Sequence, residues 1–448
     1  MASLESGNLE VAAAQEAGGR GDFDAVIAHL SAAMREFTAA GAVREAAMAC
    51  VGLGDTYANM FGNATVGRAW FARARRLVAE IEPCVEQGWV AIAPMGCDVD
   101  DPDELLRSAE LALARAREFG DVNLETKALA DAGLAHVQAG RVEEGMAMLD
   151  EAMALACGPA DDTGAAGKSV CSFFTACYFT ADFEKARIWT DLFRTRGLIG
   201  EQPGVQTFLS SHCDSVQATT LVELGRWSEA ERVLLRSIDE VEQRMGIEGW
   251  HPSISLADLR IRQGRVTDAE ALLVGKDASM HALIPMVRLH LRRGDFELAQ
   301  RSAQRGMRVM GADRLRAVEL LTLLVDAQLG LDDLDAASAT CADLTQRAHA
   351  LGVTTVAARA AMARARVLLA ADNASFALTV LEEAADTVAE DRLPWLHATL
   401  LLAQASAREA VGDATGAQLD AKAATTTLAR LDVVVGDVVV DDAPLVGV

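Results

Sequence analysis

The amino-acid sequence predicts an all-α protein, a right-handed superhelical solenoid of about eleven helix hairpins. Apolar residues recur at helical spacing along nearly all of the 448 residues. A hairpin-like unit returns about every 40 residues, and there is almost no strand pattern before the C-terminal tail. One hairpin cannot bury its apolar stripe alone, so neighbouring hairpins must stack.

The segment 221–243 shows the repeating unit. Residues from Ala230 to Val241 place an apolar stripe at helical spacing, and a second stripe upstream ends at Leu224. Gly225 stands between the two stripes, where the end of a helix favours a residue that tolerates a left-handed backbone. Ser228 follows as a residue that can cap the next helix.

The same turn returns along the chain, with a small residue five positions later that lets the two helices of a hairpin approach closely. These pairs are Gly140 with Gly145, Gly225 with Ala230, Gly264 with Ala269, Gly294 with Ala299, and Gly412 with Ala417. Ala181 and Ala186 keep the spacing, with alanine at the turn.

These turns resemble those of tetratricopeptide repeats, although the aromatic positions of the strict repeat are mostly missing. More narrowly, "LGRWSEAERVLL" followed by "SLADLRIRQGRVTDAEALL" resembles the repeat region of large LuxR-type (MalT-like) bacterial regulators. The resemblance covers residues 5–432 and implies a sensing role. The P-loop ATPase and the DNA-binding helix-turn-helix that flank the repeats in that family are missing from this sequence.

Composition excludes several classes of function. The formal net charge is −24, from 41 basic and 65 acidic residues, which argues against nucleic-acid binding. Eight cysteines without a dense pattern predict reduced thiols. The sequence has neither a signal-peptide pattern nor an apolar run long enough to cross a membrane, so we expect a cytoplasmic protein without membrane contact.

The predicted repeat array covers residues 5–432 and has soft internal boundaries. Two segments rich in Gly, Pro or acidic residues, 156–167 and 197–206, are the expected seams. The tail 433–448 switches to β-branched residues and predicts a flexible segment or a short β-hairpin.

Two segments superficially resemble functional loops. Residues 162–169 end in Gly-Lys-Ser as a P-loop does, but Asp162 occupies a glycine position, so a polar loop that caps a helix is expected. Residues 98–106 alternate carboxylates but lack the glycine and glutamate of an EF-hand, so a helix start is expected. No nucleophile motif is found, and we predict a protein without catalytic activity or cofactor.

Three histidines share one repeat position. His212, His251 and His281 each lie 13 residues before a turn glycine, in the slot that tends to face the concave groove of such arrays. They are candidate ligand contacts, with ordinary packing as the alternative. We predict no metal site, because stacked helices are about 10 Å apart and ligands must lie about 2 Å from one ion.

The same helices carry charged candidates. Asp258, Arg262 and Arg288 would make the groove locally basic and suited to a carboxylate or an acidic peptide. The alternative is solvated helix faces paired with nearby acids.

The segment 171–179 is the most aromatic stretch of the chain. Phe173, Phe174, Tyr178 and Phe179 point in several directions around one helix, so some of them must miss the core. The candidates for a ligand-facing cluster are Phe173, Phe174, Cys177 and Tyr178. Core filling is the alternative.

The sequence therefore predicts a non-catalytic scaffold whose concave groove binds a protein or peptide partner in a regulatory or adaptor role. The alternatives are a sensor or sequestering protein with a small organic ligand inside the superhelix, and the detached sensor half of a LuxR-type regulator. The oligomeric state is left open, since solenoid ends need a cap or a partner.

Overall fold

The computed structural model describes residues 3–94, 102–158, 163–196, 207–245, 250–277, 279–310 and 313–431. These residues form 22 α-helices in eleven successive pairs and contain no strand. The predicted all-α repeat solenoid is confirmed, and the hairpin count agrees with the sequence period.

The chain divides into two compact units. Unit 1 comprises Met1–Cys177, Phe183–Cys213 and Ser237–Gly249, and unit 2 comprises Tyr178–Asp182, Asp214–Arg236 and Trp250–Val448. The residues of three helices, α9, α11 and α12, are divided between the units.

The first five hairpins run from α1 to α10. They are α1 (Leu4–Gly19), α2 (Phe23–Ala40), α3 (Val43–Asp55), α4 (Ala64–Val78), α5 (Val85–Ile92), α6 (Pro102–Phe119), α7 (Val122–Gln138), α8 (Val142–Cys157), α9 (Thr163–Thr180) and α10 (Phe183–Arg196), with a π-helical turn at Thr56–Met60.

The remaining six hairpins run from α11 to α22. They are α11 (Thr207–Glu223), α12 (Trp227–Met245), α13 (Trp250–Arg262), α14 (Val266–Leu273), α15 (Met280–Arg293), α16 (Phe296–Met310), α17 (Arg314–Gly330), α18 (Leu334–Leu351), α19 (Thr354–Ala370), α20 (Ala374–Ala385), α21 (Pro394–Ala410) and α22 (Ala414–Arg430).

The predicted turn positions have the left-handed backbone that the pattern requires. Gly140 and Gly225 have φ angles of 83° and 74°, and Ala181 reaches 55° without being a glycine. The small residues five positions later are buried at the helix crossing, as at Ala269 and Ala299, which are both 0% exposed. The turn and the small residue together set the geometry of the hairpin.

The helices α7 and α8 make the closest such crossing. A Cβ placed on Gly145 would lie 2.5 Å from the carbonyl oxygen of Gly133 and 2.9 Å from the backbone nitrogen of Val137. Backbone packs directly on backbone here, so the position has no room for any side chain.

The two helices of a hairpin are buried to different extents, as unit 2 shows. Twelve residues of α17, between Leu315 and Gln328, are buried, and they cover most of the helix circumference. Its predecessor α16 buries only Ala299, Ala303, Gly306 and Met310, a single stripe. The first helices therefore form the inner wall of unit 2, and the second helices expose a face.

Unit 2 curls until its first hairpin meets its last helices. The ring centroids of Trp227 and Trp395 lie 4.7 Å apart, which joins α12 to α21. A Cβ on Gly225 would lie 2.5 Å from Leu431, so the α11–α12 turn abuts the end of α22. In unit 1, Lys168 Nζ on α9 lies 2.7 Å from a carboxylate oxygen of Asp55 on α3.

The segments that resemble functional loops are helical where they are described. Lys168 and Ser169 lie within α9, and the Ser169 hydroxyl donates to the carbonyl oxygen of Ala165 at 2.8 Å. α6 begins at Pro102 with Asp103 and Glu104 in its first turn. The helix start expected at 98–106 agrees with its described residues. The polar loop expected at 162–169 is wrong for the described residues 163–169, which form the first turns of α9.

One cysteine prediction is wrong. Cys171 on α9 and Cys213 on α11 form a disulfide in unit 1, with Cα atoms 5.7 Å apart. Among the other cysteines of the described residues, Cys50, Cys84 and Cys341 carry free thiols. The two bonded cysteines are 42 positions apart, so the sequence alone does not show that two first helices bring them together.

Three predicted segments lie partly or wholly outside the described residues. The seam 197–206 and the tail 433–448 are outside them, as are residues 159–162 of the other seam. These boundaries stay predictions. Within the described ranges, the helices are too short or too polar for any of them to span a bilayer.

Gly145→Ala tests the close crossing of α7 and α8. The added methyl group must push the two backbones apart, so we expect a loss of about 1–3 kcal/mol in the free energy of unfolding, measured by urea denaturation. The control is Gly19→Ala at the end of α1, where nothing lies within 4 Å of the new Cβ. An equal stability of the two variants would contradict the crossing.

Candidate functional site

The ten candidate residues fall in both units. Unit 1 holds Phe173, Phe174, Cys177 and His212, and unit 2 holds Tyr178, His251, Asp258, Arg262, His281 and Arg288. Each group is therefore considered within its own unit.

The aromatic candidates of unit 1 pack against one another. The ring centroids of Phe173 and Phe174 lie 5.6 Å apart, and each ring meets an aromatic ring of α10, at 6.2 Å for Trp189 and 6.3 Å for Phe193. Phe173 and Cys177 are both 0% exposed. This burial favours the packing alternative for these two side chains.

Glu223 is the centre of the charged network in unit 2. It lies at the end of α11 and is 4% exposed. Arg359 of α19 donates to it through Nη2 at 2.6 Å, and Arg262 Nη1 of α13 lies 3.5 Å from its other oxygen. A buried carboxylate needs such partners, since an unpaired buried charge is costly.

The network continues from Arg262 along the next helices. Asp258 accepts from Arg262 Nε at 3.3 Å and from Arg288 of α15 at 2.6 Å. Arg288 also donates to Glu319 of α17. The result is one chain of ion pairs across five first helices, from Arg359 on α19 through α11, α13 and α15 to α17.

Three guanidiniums of this network face three carboxylates. The expected basic stretch is therefore charge-balanced, because α11 and α17, the first helices on either side of α13 and α15, contribute Glu223 and Glu319. A second pair, Arg366 with Asp326, joins α19 to α17 through two hydrogen bonds of 2.7 and 3.0 Å. The charges are paired with acids, as the alternative expected, but they are largely buried and do not lie on the solvated faces that it assumed.

The network shifts the protonation equilibria of its members. Burial alone would raise the pKa of Asp258, but the guanidiniums of Arg288 and Arg262 outweigh it and lower that pKa. Burial raises the pKa of the Tyr178 hydroxyl, and the carboxylates of Glu223 and Glu319 raise it further. Tyr178 therefore stays neutral beside the ion pairs at neutral pH.

Two of the three histidines meet in unit 2. The ring centroids of His251 and His281 lie 4.7 Å apart, and Trp250 stacks on His251 at 3.5 Å. Across the described residues, no group of three or more His, Cys, Asp or Glu side chains is placed to hold a metal ion.

The sequence missed Glu223, Glu319 and Arg359. Charged residues in the first helices were the only signal, and such residues are common on solvated helix faces. What distinguishes these three is their position on the inner wall of unit 2, which depends on the curl of the array.

Comparisons with known proteins do not assign a family. No family model matches the chain. No curated protein matches it either. Among solved structures, the chain is similar to one from "Crystal structure of APC/C hetero-tetramer Cut9-Hcn1", with a TM-score of 0.37 and 10% identity over 94% of this chain and 87% of that chain. A likeness this low carries no argument about function, and the LuxR-type resemblance stays a prediction.

Glu223→Gln tests the network at its centre. The substitution removes the charge that holds Arg262 and Arg359, and we expect a loss of at least about 2 kcal/mol in the free energy of unfolding. The control is Asp268→Asn, which removes an exposed ion pair with Arg265 and should cost under about 1 kcal/mol. Equal losses in urea denaturation would show that the Glu223 pairs contribute no more than a surface pair.

Asp258 makes the stability of the protein pH-dependent. Because its pKa is lower in the folded than in the unfolded protein, its contribution is present above the unfolded value of about 3.9 and is lost as the pH falls through the folded pKa. We expect Asp258→Asn to be less stable than the unmodified protein at neutral pH, with the difference shrinking as the pH falls below about 4. A difference that is constant from pH 7 to pH 3 would contradict the lowered pKa.

Proposed function

We propose that the protein is a non-catalytic scaffold that binds an extended segment of a partner polypeptide along the inner wall of unit 2, in a regulatory or adaptor role. The observation that carries the proposal is the charged network, to which each of five successive first helices contributes. A wall of stacked helices that presents one or two charged groups per hairpin is suited to binding an extended polypeptide with charged side chains at regular intervals.

The spacing of the helices matches that of an extended chain. Packed helices lie about 8–10 Å apart, and a strand advances about 3.3 Å per residue. Every third residue of an extended partner would therefore lie opposite the next first helix. Charged side chains at that interval in the partner would meet the network at successive helices.

The network has a buried middle and more accessible ends. The side chains of Arg262 and Arg288 are 11% and 12% exposed, whereas those of Glu319 and Arg359 are 26% and 24% exposed. The buried members, with the pair between Glu223 and Arg359, hold the geometry. Glu319 and Arg359, on the neighbouring helices α17 and α19, are the groups that a partner can reach.

The partner should therefore offer one basic and one acidic side chain about three residues apart. The basic side chain would pair with Glu319 and the acidic one with Arg359. Both pairs use charge-assisted hydrogen bonds, which are stronger than neutral ones.

The test is native mass spectrometry of the protein purified gently from its own host, followed by cross-linking. We expect a second polypeptide, cross-linked to helices between α13 and α19, that is lost in the variant Glu319→Gln/Arg359→Gln. The control is Glu297→Gln/Arg301→Gln on α16, which changes an exposed acidic and an exposed basic residue on the outer helix of the same unit.

A polypeptide that stays bound to the first variant, or cross-links only outside α13 to α19, would contradict the proposed surface. Thermal denaturation of both variants checks that any loss of binding does not come from unfolding.

A small-molecule sensor is the second candidate, and one observation favours it. Trp250, His251 and His281 form an aromatic group, and the Trp250 indole nitrogen is buried without a hydrogen-bond partner among the described residues. In this case the same experiment would release a small organic adduct on denaturation, and the adduct would raise the Tm of the protein. If the protein is a detached LuxR-type sensor, the polypeptide that is purified with it should be a DNA-binding chain.

A further inference from the structure

The helix α4 of unit 1 has an unusual charge for this protein. Its fifteen residues, Ala64–Val78, include four arginines and no acidic residue. The whole chain has a formal net charge of −24, whereas α4 by itself is positively charged. The four are Arg68, Arg73, Arg75 and Arg76.

These arginines are exposed and are not neutralised by the fold. All four arginines are exposed. In the part of the chain that the structure describes, no ion pair joins any of them to a carboxylate. Glu80 and Glu82, which follow the helix, make no ion pair with it there. By contrast, every arginine of the unit 2 network has a carboxylate partner.

The arginines of α4 lie on a definite face. The opposite face packs into unit 1 through Phe71, Ala74 and Val78, which are 0%, 0% and 5% exposed. Arg68 and Arg75 are seven residues apart, two helical turns and about 10 Å along the axis, so they point the same way.

Small side chains separate the arginines on that outward face. Ala69 lies two helical turns before Arg76 on the same side of the helix, and Ala72 lies one turn after Arg68 and one turn before Arg76. A second helix can approach such a face closely, because the alanines leave room and the guanidiniums can extend to either side of it.

We propose that this face of α4 docks an acidic helical segment of a partner protein. Carboxylates one and two turns apart on the partner helix would pair with Arg68, Arg75 and Arg76. Arginine suits this role, because its planar guanidinium binds a carboxylate through two parallel hydrogen bonds. A nucleic acid fits less well, since its phosphate charge continues past the turns that carry Arg68, Arg75 and Arg76 onto the strongly acidic remainder of the chain, whereas a short acidic helix need not extend there.

This surface is separate from the proposed peptide site. It lies in unit 1 and on a second helix of a hairpin, whereas the charged network lies in unit 2 and on first helices. Each can fail without the other, and the variants that test them share no residue.

The probe is a fluorescein-labelled peptide of three Glu-Ala-Ala-Ala-Glu-Leu-Ala repeats, which sets carboxylates at helical spacing. Its matched control has Gln in place of every Glu. Binding is followed by fluorescence anisotropy against the full-length protein. We expect the acidic peptide to bind at low salt, to weaken as salt is added, and to bind much more tightly than the Gln peptide.

Two triple variants locate the surface. Arg68→Gln/Arg75→Gln/Arg76→Gln should weaken binding about tenfold, because each exposed pair contributes modestly. Arg301→Gln/Arg305→Gln/Arg308→Gln removes three exposed arginines from α16 of unit 2 and should leave the affinity unchanged. Both variants make the same change in net charge, and circular dichroism checks that both remain folded.

Three outcomes would overturn the proposal. The first is the absence of binding by the acidic peptide at low salt. The second is an equal loss in both triple variants, which would mean that net charge alone attracts the peptide. The third is tighter binding of a single-stranded oligonucleotide of the same charge, lost in the α4 variant, which would identify a nucleic-acid surface instead.

Discussion

Unit 2 depends on the pairing of one buried carboxylate. Glu223 is held by Arg262 and by Arg359, a residue 136 positions later in the chain. A lone charge at this depth would be too costly to bury, so the two guanidiniums must be in place whenever α11 lies against α19. The contacts of Trp227 with Trp395 and of Gly225 with Leu431 lie beside this carboxylate and add apolar area to the same closure. The inner wall, and with it the proposed peptide site, exists because the array is closed here.

The protein uses charge in two different ways. On the inner wall of unit 2, arginines and carboxylates neutralise one another, while burial, with the nearby carboxylates, raises the pKa of Tyr178 and keeps it neutral. On the outward face of α4 in unit 1, arginines lie exposed without a carboxylate partner in the described part of the chain. Paired charges within a fold fix its geometry, whereas exposed unpaired charges attract a partner of opposite sign. Local balance of charge therefore distinguishes the unit 2 network from the α4 face better than net charge does.

The fold could be predicted from sequence because its determinants are local. The left-handed backbone at two turns requires the glycines Gly140 and Gly225. The close crossing of α7 and α8, five residues after the turn, requires Gly145. The site could not be predicted to the same degree. Glu223 and Arg359 belong to hairpins that are far apart in sequence, and the bonded Cys171 and Cys213 belong to different, successive hairpins. Such pairs follow from the curl of each unit, which results from many small helix-packing angles.

The most direct measurement of the central claim is a double-mutant cycle between Glu223 and Arg359. Glu223→Gln, Arg359→Gln and the double variant are compared with the unmodified protein by urea denaturation. The cycle removes the separate cost of each substitution and leaves the coupling between the two residues. If the closure of unit 2 depends on this pair, the coupling free energy is at least about 1 kcal/mol and favours the pair. A coupling within about 0.3 kcal/mol of zero would contradict the account, because α11 and α19 would then be held together by something else.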